Sequence, residues 1–206
     1  MNHTGFVYSQ TQDRLWRKNR QPPLPGANQS HPCWGVDLNR NWPHEWDTNP
    51  QGSSNNSCTQ TYRGEYPGSE PEMAGMAGFA DKLAESQGIK LFIDWHSYSQ
   101  LLLTPYGYSC EDFPKTNDEH IALMEDVAEA IYAVHGTNYT AGPGCETLYP
   151  TNGASYDYAY DVNGAEWASL IELRDTGDYG FILPPGQILP NCEEIWAGMK
   201  VMLARL

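Results

Sequence analysis

The chain has 206 residues, a length that fits one domain with one substantial core. Hydrophobic residues make up 40% of it and aromatic residues 12%, which is typical of a globular protein and excludes a disordered one. Its formal net charge is −14, from 12 Lys and Arg against 26 Asp and Glu. An acidic chain repels nucleic acid and anionic membrane surfaces, so neither is expected as a partner.

The first third of the chain contains a short predicted strand and a long polar loop. Residues 5–10 alternate apolar and polar side chains and predict a strand. Residues 13–20 read DRLWRKNR, the densest basic patch of the chain, which is either a solvated face or a set of fixed donors. The segment GVDLNRNW over 35–42 leads into a polar loop that Cys33 and Cys58 bracket. A disulfide between them would restrict the unfolded chain.

Apolar residues at helical spacing predict three helices, and each boundary carries a local signal. The first begins at the capping box Ser69–Glu72 and ends at Gly88. The second covers 117–134, and the last begins after Pro190, with Asn191 as its cap and Glu194 as the third-position partner.

Two apolar, strand-like runs each carry one chemically active side chain. The run LFIDWHSYSQLLLTPYG over 91–107 delivers His96, and ASLIELR over 168–174 carries Glu172. Helices alternating with such strands indicate an α/β fold, a mixed β-sheet with helices on both faces, in a single domain over 1–206. The carboxyl ends of strands in such a sheet collect functional groups.

The polar clusters around these strands suggest a hydrolytic site. His96 could bind a metal, and a glutamate inside an apolar strand is unfavourable unless it is paired or used. The loop 147–158 carries Tyr149, and Arg17 and Arg40 are concentrated fixed donors. Together they suggest metal-assisted hydrolysis of a substrate with a carboxylate. The alternatives are a structural histidine and a buried ion pair of Glu172 with its neighbour Arg174.

Several segments resemble one known family. WRKNR, GVDLNRNW, TYRGEYPGSEPE, IDWHSYSQLLLTPYGY, TLYPTNGASYDY and ELRDTGDYGFILP are similar to segments of the zinc metallocarboxypeptidases of the carboxypeptidase A type. The similarity runs nearly from end to end, in the same order and spacing. It implies the fold of that family, Zn²⁺ as cofactor, and peptide or protein C-termini as substrates.

The resemblance implies a role for each matching position. It implies hydrolysis of the last peptide bond by a zinc-bound water that a glutamate deprotonates. The metal ligand is His96, the general base Glu172, the oxyanion-stabilising arginine Arg17, and the carboxylate-binding pair Asn39 and Arg40. Substrate contacts come from Tyr149 on the closing loop, Tyr156 at the pocket floor and Phe181 at the rim, and Asp37 orients a zinc-ligating histidine. Because Tyr156 is not acidic, apolar or aromatic C-terminal residues are the expected preference.

The sequence departs from the family pattern in one respect. The H-x-x-E motif that supplies two zinc ligands is absent, and His44 with Asp47 has that spacing only in the wrong place. We therefore expect the N-terminal part of the domain, with both ligands, to lie before Met1, and this chain to be inactive alone. A non-catalytic remnant that binds C-terminal carboxylates is the alternative, and an aromatic-rich carbohydrate-binding module is a weaker one.

The remaining signals concern the compartment. The opening residues lack a basic region followed by an apolar stretch, so no signal peptide is expected within the chain. Scattered cysteines and four N-x-S/T sequons nevertheless favour a secreted, oxidised monomer. Cys110 and Cys145 are a plausible second bridge, and Cys192 is expected to be free and buried, although three connectivities of four cysteines remain open. The sequons are at Asn2, Asn28, Asn55 and Asn138.

Overall fold

The computed structural model describes residues 2–23 and 32–206, so the sequon at Asn28 lies outside the described residues. Within these ranges no helix is long and apolar enough to cross a bilayer. The helices are α1 (His3–Thr11), α2 (Pro71–Gln87), α3 (Asn117–His135), α4 (Gly144–Thr147), α5 (Ser155–Asp161) and α6 (Ile188–Leu203). The strands are β1 (Leu91–Ser97), β2 (Leu101–Thr104), β3 (Thr140–Pro143) and β4 (Trp167–Leu173), with a 3-10 turn at Leu38–Arg40.

The four strands form one mixed sheet in the order β1-β4-β2-β3. Strand β1 runs parallel to β4, β2 runs antiparallel to β4, and β3 runs parallel to β2. The predicted mixed sheet is therefore confirmed. The register pairs His96 with Glu172 near the carboxyl ends of β1 and β4.

Side chains alternate across this sheet and build a core on each face. Leu102 and Ile171 point to one face, where they pack with residues of α3 and α6. Leu103 and Leu170 point to the other face, where they pack with residues of α5. The prediction of helices on both faces is thus also confirmed.

A buried ion pair anchors α6 to the end of β4. Glu194 is fully buried and accepts hydrogen bonds from Arg174 Nε at 2.8 Å and from Arg174 Nη2. Thr137 Oγ1 donates to the same carboxylate at 2.5 Å. Helix α6 starts at Ile188, so the prediction of a start after Pro190 was wrong. Glu194 therefore lies inside the helix and not in its first turn, and its carboxylate pairs with Arg174.

Two other predicted boundaries were wrong. Residues 5–10 belong to helix α1, whose first turn Asn2 caps by accepting the Gly5 N–H at 2.9 Å. The capping box is not formed, because the cap position of α2 is Glu70. The backbone N–H of Glu70 donates to Asn41 Oδ1 at 3.1 Å, while Ser69 Oγ donates to the Glu70 carboxylate.

The disulfide expectations are largely confirmed. Cys33 pairs with Cys58 and Cys110 pairs with Cys145. The second bridge ties the segment after β2 to α4 and so supports one wall of the site region. Cys192 is free as expected, but it is exposed at the start of α6 rather than buried.

Candidate functional site

The carboxyl ends of β1 and β4 open into a small pocket of about 30 Å³. Seven of the nine residues to which the resemblance gave a role line it, although they are spread over more than 150 positions of the chain. The other two, Asp37 and Phe181, are not among the lining residues. The lining includes Arg17, Asn39, Arg40, His96, Tyr149, Tyr156 and Glu172. The structure therefore brings together nearly the whole predicted set.

His96 is held by polar side chains on its Nε2 side. Its Nε2 lies 2.9 Å from Asp94 Oδ2 and 3.0 Å from Asn39 Nδ2. Asp94 precedes His96 by two positions on β1, so the strand places both side chains on one face. Burial disfavours the charged imidazolium, but the Asp94 carboxylate more than offsets this effect, so the pKa of His96 is raised.

Asp94 is a site residue that the sequence reasoning missed. Its Oδ2 also accepts hydrogen bonds from Asn39 Nδ2 at 2.9 Å and from Ser155 Oγ, at the first residue of α5. Burial alone would raise the pKa of this carboxyl, but the hydrogen bonds from His96, Ser155 and Asn39 lower it. An acidic residue two positions before the singled-out histidine, inside an apolar strand, was the signal that could have revealed it.

Glu172 points into the pocket from β4 and has few partners of its own. It is 9% exposed, and its Oε2 is buried without a hydrogen-bond partner among the described residues. Burial raises the pKa of the Glu172 carboxyl, while the nearby His96 and Arg17 counteract that rise. Arg174 forms its ion pair with Glu194, so Arg174 does not pair with Glu172. A partly desolvated carboxylate of this kind suits proton transfer.

Two arginines approach the pocket from the N-terminal part of the chain. Arg17 donates from Nε to Asp37 Oδ2 at 2.9 Å. Asp37 also accepts the Asn39 N–H at 3.1 Å. No described histidine contacts Asp37, so its role in orienting a zinc-ligating histidine stays a prediction. Arg40 is 3% exposed and donates from Nη1 to the carbonyl of Asn39 at 2.7 Å.

Tyr156, at the position that the resemblance predicts for the pocket floor, lines the pocket and is 1% exposed. Its hydroxyl lies against Gly107 and Gly144, where an added Cβ would come within 2.3 Å and 2.0 Å of that oxygen. A larger residue at either position would force Tyr156 to shift, because real Cβ atoms essentially never approach so closely. Burial raises the pKa of the Tyr156 phenol well above its ordinary value, so the floor is uncharged.

The two remaining aromatic residues are exposed. Tyr149 lies between α4 and α5, lines the pocket and is 50% exposed. Phe181 is 51% exposed and packs edge-on against Tyr98, with ring centroids 4.9 Å apart. Arg14 Nη2 donates to the Phe181 carbonyl at 2.9 Å and holds that segment in place.

A buried carboxyl supports the floor from below. Both oxygens of Asp157 accept the Gly107 N–H, at 3.0 Å and 3.1 Å. Burial raises the pKa of Asp157 from 3.8 to about 8, although the Gly107 N–H opposes that rise, and the nearby Asp161 adds to it. Between these values the folded protein keeps a proton that the unfolded chain has released. The resulting stability is therefore present at low pH and is lost as pH rises through the folded pKa.

The Asp157→Asn variant is expected to remove this pH dependence, because asparagine keeps an acceptor oxygen and carries no charge. From about pH 6 to about pH 7.5, the wild-type free energy of unfolding is expected to fall by as much as about 2 kcal/mol more than that of the variant. Urea unfolding of both proteins at several pH values measures the difference. Identical pH slopes would show that Asp157 does not titrate in this range.

The described residues do not complete a metal site. They contain no group of three His, Cys, Asp or Glu side chains that could hold a metal ion. Zinc sites use at least three protein ligands. Nδ1 of His96 has no hydrogen-bond partner among the described residues, so this ring suits one position of such a site. Nε2 of His44 is not free to bind a metal, because it is hydrogen-bonded to Asp161 Oδ2 at 2.8 Å.

Comparison with known proteins identifies the family of the chain. Residues 1–198 match the model of the zinc carboxypeptidase family. Over 203 residues the chain is 48% identical to a metallocarboxypeptidase A of Trichophyton rubrum, and over 202 residues 44% identical to carboxypeptidase A4 of Mus musculus. These alignments cover 98% of the chain but only 46% and 45% of those proteins. The chain thus spans about half the length of the curated relatives that it matches.

Solved structures show the same similarity. Bovine thrombin-activatable fibrinolysis inhibitor, in complex with tick carboxypeptidase inhibitor, superposes with a TM-score of 0.89 at 37% identity, over 99% of this chain and 66% of that chain. Carboxypeptidase A of Helicoverpa armigera superposes with a TM-score of 0.83 at 30% identity, over 98% of this chain and 48% of that chain. The chain belongs to the zinc carboxypeptidase family.

Proposed function

We propose that this chain forms the substrate-binding and proton-transfer part of a secreted, zinc-dependent carboxypeptidase. The enzyme hydrolyses the last peptide bond of peptides and proteins and prefers apolar or aromatic C-terminal residues. The uncharged floor at Tyr156 supports that preference. The two disulfides support secretion into an oxidising compartment, where we propose that the protein is a monomer. Zinc is the metal of the family, and the described residues offer one ligand for it, His96.

The observation that carries the proposal is the environment of Arg40. This guanidinium is buried, its Nε has no hydrogen-bond partner, and no carboxylate lies within ion-pair distance of it among the described residues. A buried arginine without an anion is unfavourable, so the site requires one. A carboxylate at a peptide C-terminus matches the planar donor geometry of arginine.

The other residues then take roles around the bound carboxylate. Asn39 precedes Arg40 on the same 3-10 turn and adds an amide donor. Arg17 lies near Glu172 and supplies positive charge for the oxygen of the scissile carbonyl. Glu172 takes a proton from the attacking water, whose oxygen bonds to the carbonyl carbon, and returns that proton to the leaving amine as the C–N bond breaks.

The test compares a peptide with its C-terminal amide. The natural gene product that contains this chain is incubated with benzoylglycyl-phenylalanine or with the amide of the same compound, and release of phenylalanine or its amide is measured by chromatography. We expect release only from the free carboxylate, and slower release when lysine replaces the terminal phenylalanine. Binding of the peptide without release would contradict hydrolysis and leave carboxylate binding as the function.

The Arg40→Lys variant is expected to lower kcat/KM for benzoylglycyl-phenylalanine by about 10- to 100-fold, the equivalent of one or two lost charged hydrogen bonds. Most of the loss should appear in KM, because lysine cannot donate two parallel hydrogen bonds to the carboxylate. Arg205→Lys, which changes an exposed arginine paired with Asp126, is the matched control and should leave both constants unchanged. An unchanged KM in Arg40→Lys would show that Arg40 does not bind the substrate carboxylate.

A further inference from the structure

One oxygen atom connects three parts of the site. Asp94 Oδ2 accepts hydrogen bonds from Asn39 Nδ2 on the 3-10 turn, from Ser155 Oγ at the start of α5 and from His96 Nε2 on β1. No lysine or arginine pairs with Asp94 among the described residues. The donors that hold this partly buried carboxylate are therefore side chains at or beside the proposed site.

The contact with Asp94 determines which nitrogen of His96 carries the proton. A carboxylate accepts hydrogen bonds and cannot donate them, so Nε2, at 2.9 Å from it, must carry a hydrogen. A neutral ring then has its lone pair on Nδ1. Asn39 Nδ2 is also a donor, so its 3.0 Å approach to Nε2 reflects two donors that share one acceptor.

We propose that Asp94 is a positioning residue, which sets the tautomer of His96 and the direction of the Asn39 amide through one shared oxygen. Without the carboxylate, the Asn39 amide would donate directly to Nε2, and the ring proton would move to Nδ1. The lone pair at Nδ1 would be lost, and the Asn39 side-chain N–H would point at the ring instead of at residue 94. The effect of both changes on substrate binding rests on the proposed function. The tautomer of His96 does not depend on it.

The tautomer can be measured without a metal and without turnover. The full 206-residue chain is labelled with ¹⁵N-histidine, and long-range ¹H–¹⁵N spectra are recorded at a pH where the His96 ring is neutral. The protonated and the lone-pair nitrogen resonate far apart in such spectra. A spectrum of His96→Gln identifies the His96 signals among the six histidines. In the wild type we expect the proton on Nε2.

Three variants make the test specific. Asp94→Ala is expected to move the proton of His96 to Nδ1 in most molecules. Asp94→Asn is expected to retain the wild-type tautomer, because the amide oxygen can occupy the place of Oδ2. Asp161→Ala is the matched control: it removes the carboxylate from the other histidine–aspartate pair, at His44, and should leave His96 unchanged.

Binding supplies a second readout. The dissociation constant for N-acetyl-phenylalanine, measured by titration calorimetry on the gene product that contains this chain, is expected to rise about tenfold in Asp94→Ala and to stay unchanged in Asp161→Ala. A proton on Nδ1 in the wild type, or an unchanged tautomer in Asp94→Ala, would overturn the proposal. If Asp94→Ala does not fold, Asp94→Ser takes its place, because its hydroxyl is too short to reach His96. A shifted tautomer in a protein that binds no carboxylate would contradict only the proposed function.

Discussion

Replacing Glu172 by glutamine is expected to lower kcat of the natural gene product by about 10²- to 10⁴-fold, the range that general acid–base catalysis supplies. Glutamine has the size of glutamate and can fill the same buried space, but it cannot accept a proton from water. KM is expected to change little, because Glu172 does not take part in the proposed carboxylate contact. Rates of phenylalanine release from benzoylglycyl-phenylalanine at saturating substrate measure the effect.

The control for Glu172→Gln is Glu146→Gln, at an exposed glutamate of the short helix α4. It removes the same charge at the surface of the protein and should retain wild-type kcat. Urea unfolding of Glu172→Gln confirms that the fold is intact, and it is expected to be at least as stable as the wild type, because it no longer buries a carboxylate. A kcat within about twofold of wild type would exclude Glu172 as the base.

The largest effect on stability is expected at the ion pair between β4 and α6. Arg174→Ala should lower the free energy of unfolding by about 3–5 kcal/mol, because it leaves the fully buried carboxylate of Glu194 without its cation. Thr137 remains as a hydrogen-bond donor, but a neutral hydroxyl cannot balance the charge. Urea unfolding at neutral pH measures the change.

A surface pair provides the comparison for Arg174. Arg205→Ala breaks the 2.8 Å contact with Asp126, in which both side chains are more than half exposed. Exposed pairs of this kind contribute about 0–1 kcal/mol. Equal effects of the two substitutions would mean that the Glu194 carboxylate becomes solvated or protonated when Arg174 is lost.

The sequence predicted the sheet and the meeting of His96 with Glu172 because those features have local signals. His96 and Glu172 each follow an apolar run at a strand end, and parallel strands bring such ends together. The errors came where a distant partner decides the outcome. Glu194 has the spacing of a capping partner for Asn191, but the helix begins earlier, at Ile188, and the carboxylate of Glu194 pairs with Arg174. Residues 5–10 are too short to distinguish a strand period from a helical one.

Asp94 illustrates a different limit. The sequence shows that it shares a strand face with His96, but the approach of Asn39 and Ser155 depends on how the 3-10 turn and α5 pack against β1. Their positions are 55 and 61 residues away from Asp94 along the chain. No local pattern encodes such a meeting.

The shared acceptor, Asp94 Oδ2, restricts how the selectivity of this protein can be changed. Helix α5 carries both the floor residue Tyr156 and Ser155, and Ser155 is hydrogen-bonded to the same Asp94 oxygen as His96. A substitution that shifts α5 to enlarge the pocket will also disturb the histidine. Effects of paired substitutions within this cluster are therefore expected to be non-additive. Variants with new selectivity should arise more readily from changes at Thr151 or Leu148, which line the pocket outside α5.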